Sequence, residues 1–262
     1  MHILILPSWY ADLVNPSRGI FFKDQAEALA KQNVKVGVLH VSTYSLRAKL
    51  NPLNVYGLNI EKTNGVVTFR FHTFNVPKLT QLTNLIRLIA LQYVFWKYVG
   101  IHGKPELIHL HSNSRVFGRF VMFQKKRYGI PYVVTEHFSG YALDQSPRRE
   151  LEFARRVFKA SERNFAVSRT FSNLLTALFS SPFTYLPNLV DTTFFKPPKT
   201  NEKRDYFTFV NIASMKKNKN QEMLINAFYS TFGNESCIKL LVIGEGPELN
   251  NLKSLVKSKG IN

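Results

Sequence analysis

MHILILPSWYADLVNPSRGIFFKDQAEALAKQ, residues 1–32, is the stretch whose reading decides the fold. His2 to Leu6 is a short apolar run stopped by Pro7-Ser8, the pattern of a strand covered on both faces in a parallel sheet. A polar loop from Ser8 to Gly19 follows, with Asp12, Asn15-Pro16, Ser17, Arg18 and Gly19. After Gly19 the period changes: Phe22, Ala26, Leu29 and Ala30 fall at i, i+4, i+7 and i+8, one face of a helix. A strand, a glycine-bearing loop and a helix N-terminus make a corner that accepts an anion, because first-turn N–H groups have no intrahelical acceptor. The same residues also describe an ordinary βα unit in which Gly19 only eases the turn. A dinucleotide fingerprint is excluded, since one glycine stands where that motif needs three.

Outward from this corner the same alternation continues. Val34 to Val41 and Val66 to Phe71 have strand patterns, separated by a long polar segment, Ser42 to Gly65, with no clear period. Leu79 to Tyr98 is expected to be a helix whose stripe Leu82, Leu85, Ile86, Ile89, Tyr93 and Trp96 packs into the core. Contact of that stripe with a membrane interface is the alternative use. Four more strands are expected, at Glu106–His111, Pro131–Thr135, Phe165–Ser168 and Thr184–Leu186. Helices at Arg115–Tyr128, Arg148–Ser161 and Thr170–Phe179 separate them. Strands alternating with helices predict βαβ units and an α/β, doubly wound parallel sheet. The functional loops then sit at the strand carboxyl ends.

Asp191 to Tyr206, polar and carrying Pro197-Pro198, has the composition of a linker. Beyond it the alternation restarts with strands at Phe207–Ile212 and Ile238–Ile243 and helices at Asn220–Phe232 and Glu248–Lys257. The expected organisation is a domain over 1–190, a linker over 191–206 and part of a second domain over 207–262.

Charge is the compositional outlier: 35 Lys and Arg against 17 Asp and Glu give +18 over 262 residues. That balance favours an anionic partner, such as a phosphorylated substrate or an anionic membrane surface. No nucleic-acid motif accompanies it, so no nucleic-acid partner is expected. One cysteine, Cys237, excludes an internal disulfide and fits a reducing compartment. The N-terminus enters a strand pattern directly, without the features of a signal peptide, and no apolar run is long enough to span a bilayer. A cytoplasmic location is expected, with peripheral contact at the inner face of the cell membrane. His109 and His111 share one face of their strand, but no third ligand at metal spacing joins them, so no metal is expected.

The motifs, taken in order, resemble bacterial retaining glycosyltransferases of the GT-B fold, family four, of the kind that build surface polysaccharides. The opening Asn15-Pro16, Arg18-Gly19-Ile20-Phe21 and Gln25 to Leu29 is similar to such members. Glu106 to His111 resembles the family's strand ending in His-x-His, and Pro131 to His137 its segment ending in Thr-Glu-His. Ala166-Val167-Ser168 and Leu186 to Asp191 match two further landmarks, with Leu189 where glycine is usual. Asn211 to Phe228 resembles the first βα unit of the family's donor domain, and Gly244-Glu245-Gly246-Pro247 its GxGP turn.

The resemblance implies a complete N-terminal Rossmann-like sheet on the acceptor side and the first part of a second Rossmann-like domain. It implies transfer of a sugar from a nucleotide-diphosphate donor to a lipid-linked or polysaccharide acceptor, with no cofactor. Lys219 matches the family's diphosphate lysine. Ser214 stands where an arginine is usual, which removes a bidentate phosphate partner. Gly19 matches the glycine of the loop near the donor phosphate, with Arg18 beside it as an anion contact. His137 matches a histidine that faces donor sugar or acceptor, and Glu136 is a second polar candidate beside it. Gly244 and Gly246 match the turn that admits the donor nucleotide. The loop before Gly19 is then one wall of an interdomain cleft, with Lys219 on the other. The family's donor domain continues into a segment with two glutamates, and the sequence ends before it. A truncated chain, inactive alone, is therefore expected. A competing reading is a non-catalytic module holding an anionic, membrane-associated partner.

Overall fold

β1 (His2–Pro7) is buried along its whole length. Ile3 and Ile5 pack with Val36, Val38 and Phe22 on one side of the sheet, while Leu4 and Leu6 pack with helix residues on the other. Burial on both sides is what an unbroken apolar run encodes. The computed structural model describes residues 1–11, 18–44, 56–112, 115–141, 147–197 and 205–260. Asp12, Asn15-Pro16 and Ser17 of the opening loop lie outside the described residues, as do 45–55 and the Pro198 to Arg204 part of the expected linker.

After β1 come α1 (Ile20–Lys31), β2 (Lys35–Tyr44), β3 (Gly57–Thr63), β4 (Val66–Phe74), α2 (Thr80–His102) and β5 (Leu107–His111). Then follow α3 (Arg115–Tyr128), β6 (Tyr132–Glu136), α4 (Arg148–Ala160), β7 (Arg163–Ala166), α5 (Arg169–Phe179) and β8 (Phe183–Tyr185). The eight strands lie in the order β3-β4-β2-β1-β5-β6-β7-β8. All neighbours are parallel except the β3–β4 pair. From β1 the chain builds outward through β2 and β4, then returns to add β5 on the other side. The gap between the carboxyl ends of β1 and β5 is thus the topological switch point, where open α/β sheets bind ligands. One face of the sheet is covered by residues of α2 to α5, among them Phe95, Phe117, Phe120, Phe158 and Phe179. On the other face Phe22 and Ala26 of α1 close a smaller core.

Two expectations are corrected. The segment Ser42 to Gly65 is not all loop: β2 runs on to Tyr44, and Gly57–Thr63 is an edge strand antiparallel to β4. Asn64 and Gly65 join the two strands with φ of 49° and 81°, the two-residue turn that suits a twisted hairpin. The α2 stripe is turned the other way. Leu82, Leu85, Ile89, Tyr93 and Trp96 are 42–61% exposed, Ile86 is half-buried, and the core takes Ala90, Leu91, Val94, Phe95 and Tyr98. A helix apolar all round offers two stripes, and the one opposite Phe120 and Leu110 is the one buried.

The chain divides into two compact units, Met1–Phe195 and Lys196–Asn262. The second holds β9 (Phe207–Ile212), α6 (Gln221–Phe232), β10 (Ile238–Ile243) and α7 (Leu249–Ser258), with β9 and β10 parallel. Met215, Ile225 and Leu252 form its core. Among the described residues no helix is long and apolar enough to cross a membrane.

Candidate functional site

β1, β5 and β6 all end at the switch point, and their carboxyl ends are tied together. The Ser8 N–H donates to the His111 carbonyl at 3.0 Å and the Ser112 N–H to the Thr135 carbonyl at 2.9 Å. The Ser8 hydroxyl donates to the Ser112 carbonyl. α1 starts beside this edge at Gly19, whose φ of +68° is left-handed. A Cβ there would lie 2.9 Å from a Phe22 ring carbon and 3.0 Å from the Trp9 carbonyl oxygen, so backbone and space both require glycine. Among the described residues no side chain caps α1. The Phe22 N–H donates to the Gly19 carbonyl at 3.0 Å, and the N–H groups ahead of it, with the positive end of the helix dipole, can face an anion. Arg18, exposed, immediately precedes them.

Phe21 and Phe22, in the first turn, carry α1 onto the histidines of the sheet edge. The Phe21 ring stacks on His137 at 5.0 Å and 26°. Phe22 meets His137 edge-on at 4.9 Å and His111 at 4.9 Å. His111 Nδ1 lies 3.2 Å from His137 Nε2. His109 stacks 4.0 Å from His111 and its Nε2 shares a 2.7 Å hydrogen bond with the Thr135 hydroxyl. Burial pushes His109 down to about 3 and His137 down to about 4. His111 is pushed well below its ordinary 6.5, by burial first and then by the neighbouring imidazoles. At neutral pH all three are uncharged hydrogen-bonding rings, packed against one another. Among the described residues no group of His, Cys, Asp or Glu is arranged to hold a metal ion.

Glu136 is fully buried, and its Oε1 accepts 2.9 Å hydrogen bonds from the His137 and Phe138 N–H groups. That oxygen shapes the turn that presents His137. Residues 20–22 and Thr135 are the parts of this corner that sequence reasoning did not single out. The one available signal was the aromatic pair Phe21-Phe22 in the first turn of a helix that starts after Gly19.

In the second unit Gly244 and Gly246 lie against the backbone of 213–215, the segment that holds Ser214 and that leads on to Lys219. The Met215 N–H donates to the Glu245 carbonyl at 2.8 Å, and the Glu248 N–H donates back to the Met215 carbonyl at 3.1 Å. A Cβ on Gly246 would strike the Met215 carbonyl and one on Gly244 the Ala213 carbonyl. These glycines let the turn lie flat against 213–215. The Ser214 carbonyl accepts from the Lys216 N–H at 2.9 Å. Lys219 closes a single 3₁₀ turn (Lys217–Lys219), is exposed, and has no ion-pair partner among the described residues. Asn220, at φ 51°, then opens α6, again without a side-chain cap.

A mostly parallel eight-stranded sheet flanked by helices, followed by a second unit with a parallel strand pair, matches the GT-B fold of solved structures. Anabaena HepE in complex with UDP and glucose has a TM-score of 0.63 at 14% identity, over 100% of this chain and 67% of that one. The lipopolysaccharide outer core galactosyltransferase WaaB, in its apo form, has a TM-score of 0.57 at 14% identity, over 100% and 66%. S. aureus TarM, a mutant in complex with fondaparinux, alpha-GlcNAc-glycerol and UDP, has a TM-score of 0.61 at 8% identity, over 99% and 76%. The chain thus spans about two thirds of the length of HepE and WaaB. Among curated proteins the sequence has no significant match. The profile of Glycosyltransferase Family 4 matches residues 19–194, more than half of the chain, and the protein belongs to that family.

Proposed function

We propose that this protein is a retaining glycosyltransferase that moves a hexose from a nucleotide-diphosphate sugar to a lipid-linked or polysaccharide acceptor at an anionic membrane. In that reading residues 1–190 are the acceptor side, 191–206 the linker and 207–262 part of the donor side. The observation that carries it is the corner of the first unit: an uncapped α1 N-terminus at Gly19, held by Phe21 against neutral His137. Breaking the bond from the anomeric carbon to the diphosphate leaves negative charge on the departing oxygen. The acceptor oxygen bonds to that carbon on the same face, and its proton ends on the leaving phosphate. Such a step needs fixed positive ends and N–H donors. In the first unit the α1 N-terminus with Arg18 is a feature of this kind, and in the second unit, taken by itself, so is Lys219 with the uncapped start of α6. Neutral His137 can hydrogen-bond a sugar hydroxyl without introducing a competing cation.

HepE and TarM have UDP in their structures, which makes UDP-sugars the first donors to test. Calorimetric titration with UDP-glucose, UDP-N-acetylglucosamine and GDP-mannose should show binding to one of them, weakened by Lys219→Ala. Absence of binding to nucleotide sugars of either base overturns the reading.

A further inference from the structure

We propose that the outer face of α2 and α3 is a docking surface for an anionic lipid bilayer. The proposal names the surface for the membrane contact in the reading above and rests on that part of it, not on the transfer chemistry. Leu82, Leu85, Ile89, Tyr93 and Trp96 point outward along α2, a stripe about 20 Å long at 1.5 Å per residue. Scattered exposed apolar residues are ordinary, but a continuous stripe on one helix is not. α3 extends the patch. Trp96 packs on Tyr128 at 4.9 Å, Tyr128 on the exposed Phe123 at 6.0 Å, and Leu85 and Arg119 line one small pocket between the helices.

Charge decides the occupant. Between Glu61 and Glu106, and again between Glu106 and Glu136, the chain has no acidic residue. Lys78, Lys97, Arg119, Lys126 and Arg127 are exposed beside or between the apolar residues, and none has an ion pair among the described residues. Lys97 Nζ lies 5.7 Å over the Tyr93 ring and the Arg127 guanidinium 5.5 Å over the Tyr128 ring. A second copy would bring the same cations face to face, and the carboxylates that flank α3, Glu150 and Glu162, are already paired with Arg115 and Lys125. An anionic bilayer takes the apolar side chains among its acyl chains, the Trp and Tyr rings at headgroup level and the cations at the phosphates. The helix lies on the membrane and does not enter it, because its other face, Leu91, Val94 and Phe95, is fully in the core. α2 follows the carboxyl end of β4 and α3 that of β5, so both helices begin at the sheet edge that carries His111 and His137. A bilayer along them passes beside the candidate site.

The test is cosedimentation with vesicles of phosphatidylcholine alone and of phosphatidylcholine with phosphatidylglycerol in equal amounts. The protein should pellet with the anionic vesicles and stay in solution with the neutral ones. Leu85→Gln with Ile89→Gln should lower binding about tenfold or more, at exposed positions where an unchanged thermal melt shows the fold intact. Arg119→Gln with Lys126→Gln should lower it roughly fivefold per charge. Ile60→Gln, an equally exposed apolar residue on β3, should bind like the parent. Three results overturn the proposal: no binding to anionic vesicles, unchanged binding of the Leu85→Gln, Ile89→Gln variant, or an equal loss in Ile60→Gln. A dimer in light scattering that this double variant dissolves, without vesicle binding, overturns it in favour of a second copy. Vesicle binding without nucleotide-sugar binding sinks the transferase reading and leaves the surface standing; the reverse sinks the surface alone.

Discussion

His111 Nδ1 and His137 Nε2 lie 3.2 Å apart, joining the end of β5 to the residue after β6. One of the two nitrogens must carry the proton, and burial decides which. His111 is fully buried, and its Nε2 has no hydrogen-bond partner among the described residues. An orphaned buried N–H is costlier than a bare lone pair, so the His111 proton sits on Nδ1 and is donated to His137 Nε2. His137 then carries its own proton on Nδ1 and offers a donor to a ligand. Nitrogen-15 NMR of the imidazoles should show both rings protonated at Nδ1. His111→Asn, whose amide N–H can take the place of Nδ1–H, should preserve that state, and His111→Leu should release His137 to the other tautomer. A His137 ring protonated at Nε2 in the parent protein contradicts the arrangement.

Acid should destabilise this protein earlier than carboxylate titration would. His40 and His109 are pushed down to about 3 and His137 to about 4, in each case chiefly by burial. The unfolded chain takes up these protons near 6.5 and the folded chain does not. Their contribution is therefore complete above 6.5 and is lost as the pH falls through 6.5 toward the folded values. The slope is at most about 1.4 kcal/mol per pH unit for each ring. Melting temperature should fall between about pH 7 and about pH 5, before most carboxylates titrate. A flat profile over that range would show that the rings take up protons in place.

Gly19→Ala should cost about 1–2 kcal/mol from the left-handed backbone alone, and more from contact with Phe22 and Trp9. Chemical denaturation measures it. Because Gly19 sets where Phe21 meets His137, the His137 resonances should shift in the same variant. Stability within about 0.3 kcal/mol of the parent would mean that the loop adapts at little cost, against the conformational penalty of φ > 0.

How much of this was legible depended on how each residue is buried. β1 was legible because two-sided burial leaves a run of apolar letters with no alternation to interpret. β3 was not: Gly57–Thr63 is an exposed edge strand, so the sheet placed almost no demand on its side chains. Its trace in the sequence is Asn64-Gly65, the hairpin turn. The orientation of α2 could not be read from period alone, since Leu82 to Trp96 and Leu91 to Tyr98 both satisfy helical spacing. What chose between them was the strand and helix surface that α2 meets, which is built by residues far away in sequence. The Phe21–His137 contact was hidden for the same reason, whereas His137 itself was visible through its motif.

Ser214 provides the most direct check on the donor side. The resemblance of this segment implies an arginine at this position, and here a small exposed residue sits ahead of Lys219. Ser214 is exposed, so a longer side chain extends toward solvent. Its carbonyl, not its hydroxyl, makes the hydrogen bonds to the Lys216 N–H and to Gln221 Nε2. Ser214→Arg should therefore fold normally and add a charge-assisted contact to a diphosphate, worth about 1.5–3 kcal/mol, which is roughly tenfold or more in nucleotide affinity. Lys219→Ala should act in the opposite direction by a similar factor. Titration of UDP into both variants measures the pair. If Ser214→Arg leaves affinity unchanged while Lys219→Ala lowers it, the lysine binds phosphate from a direction the arginine cannot reach. If neither changes it, this segment is not where the diphosphate binds.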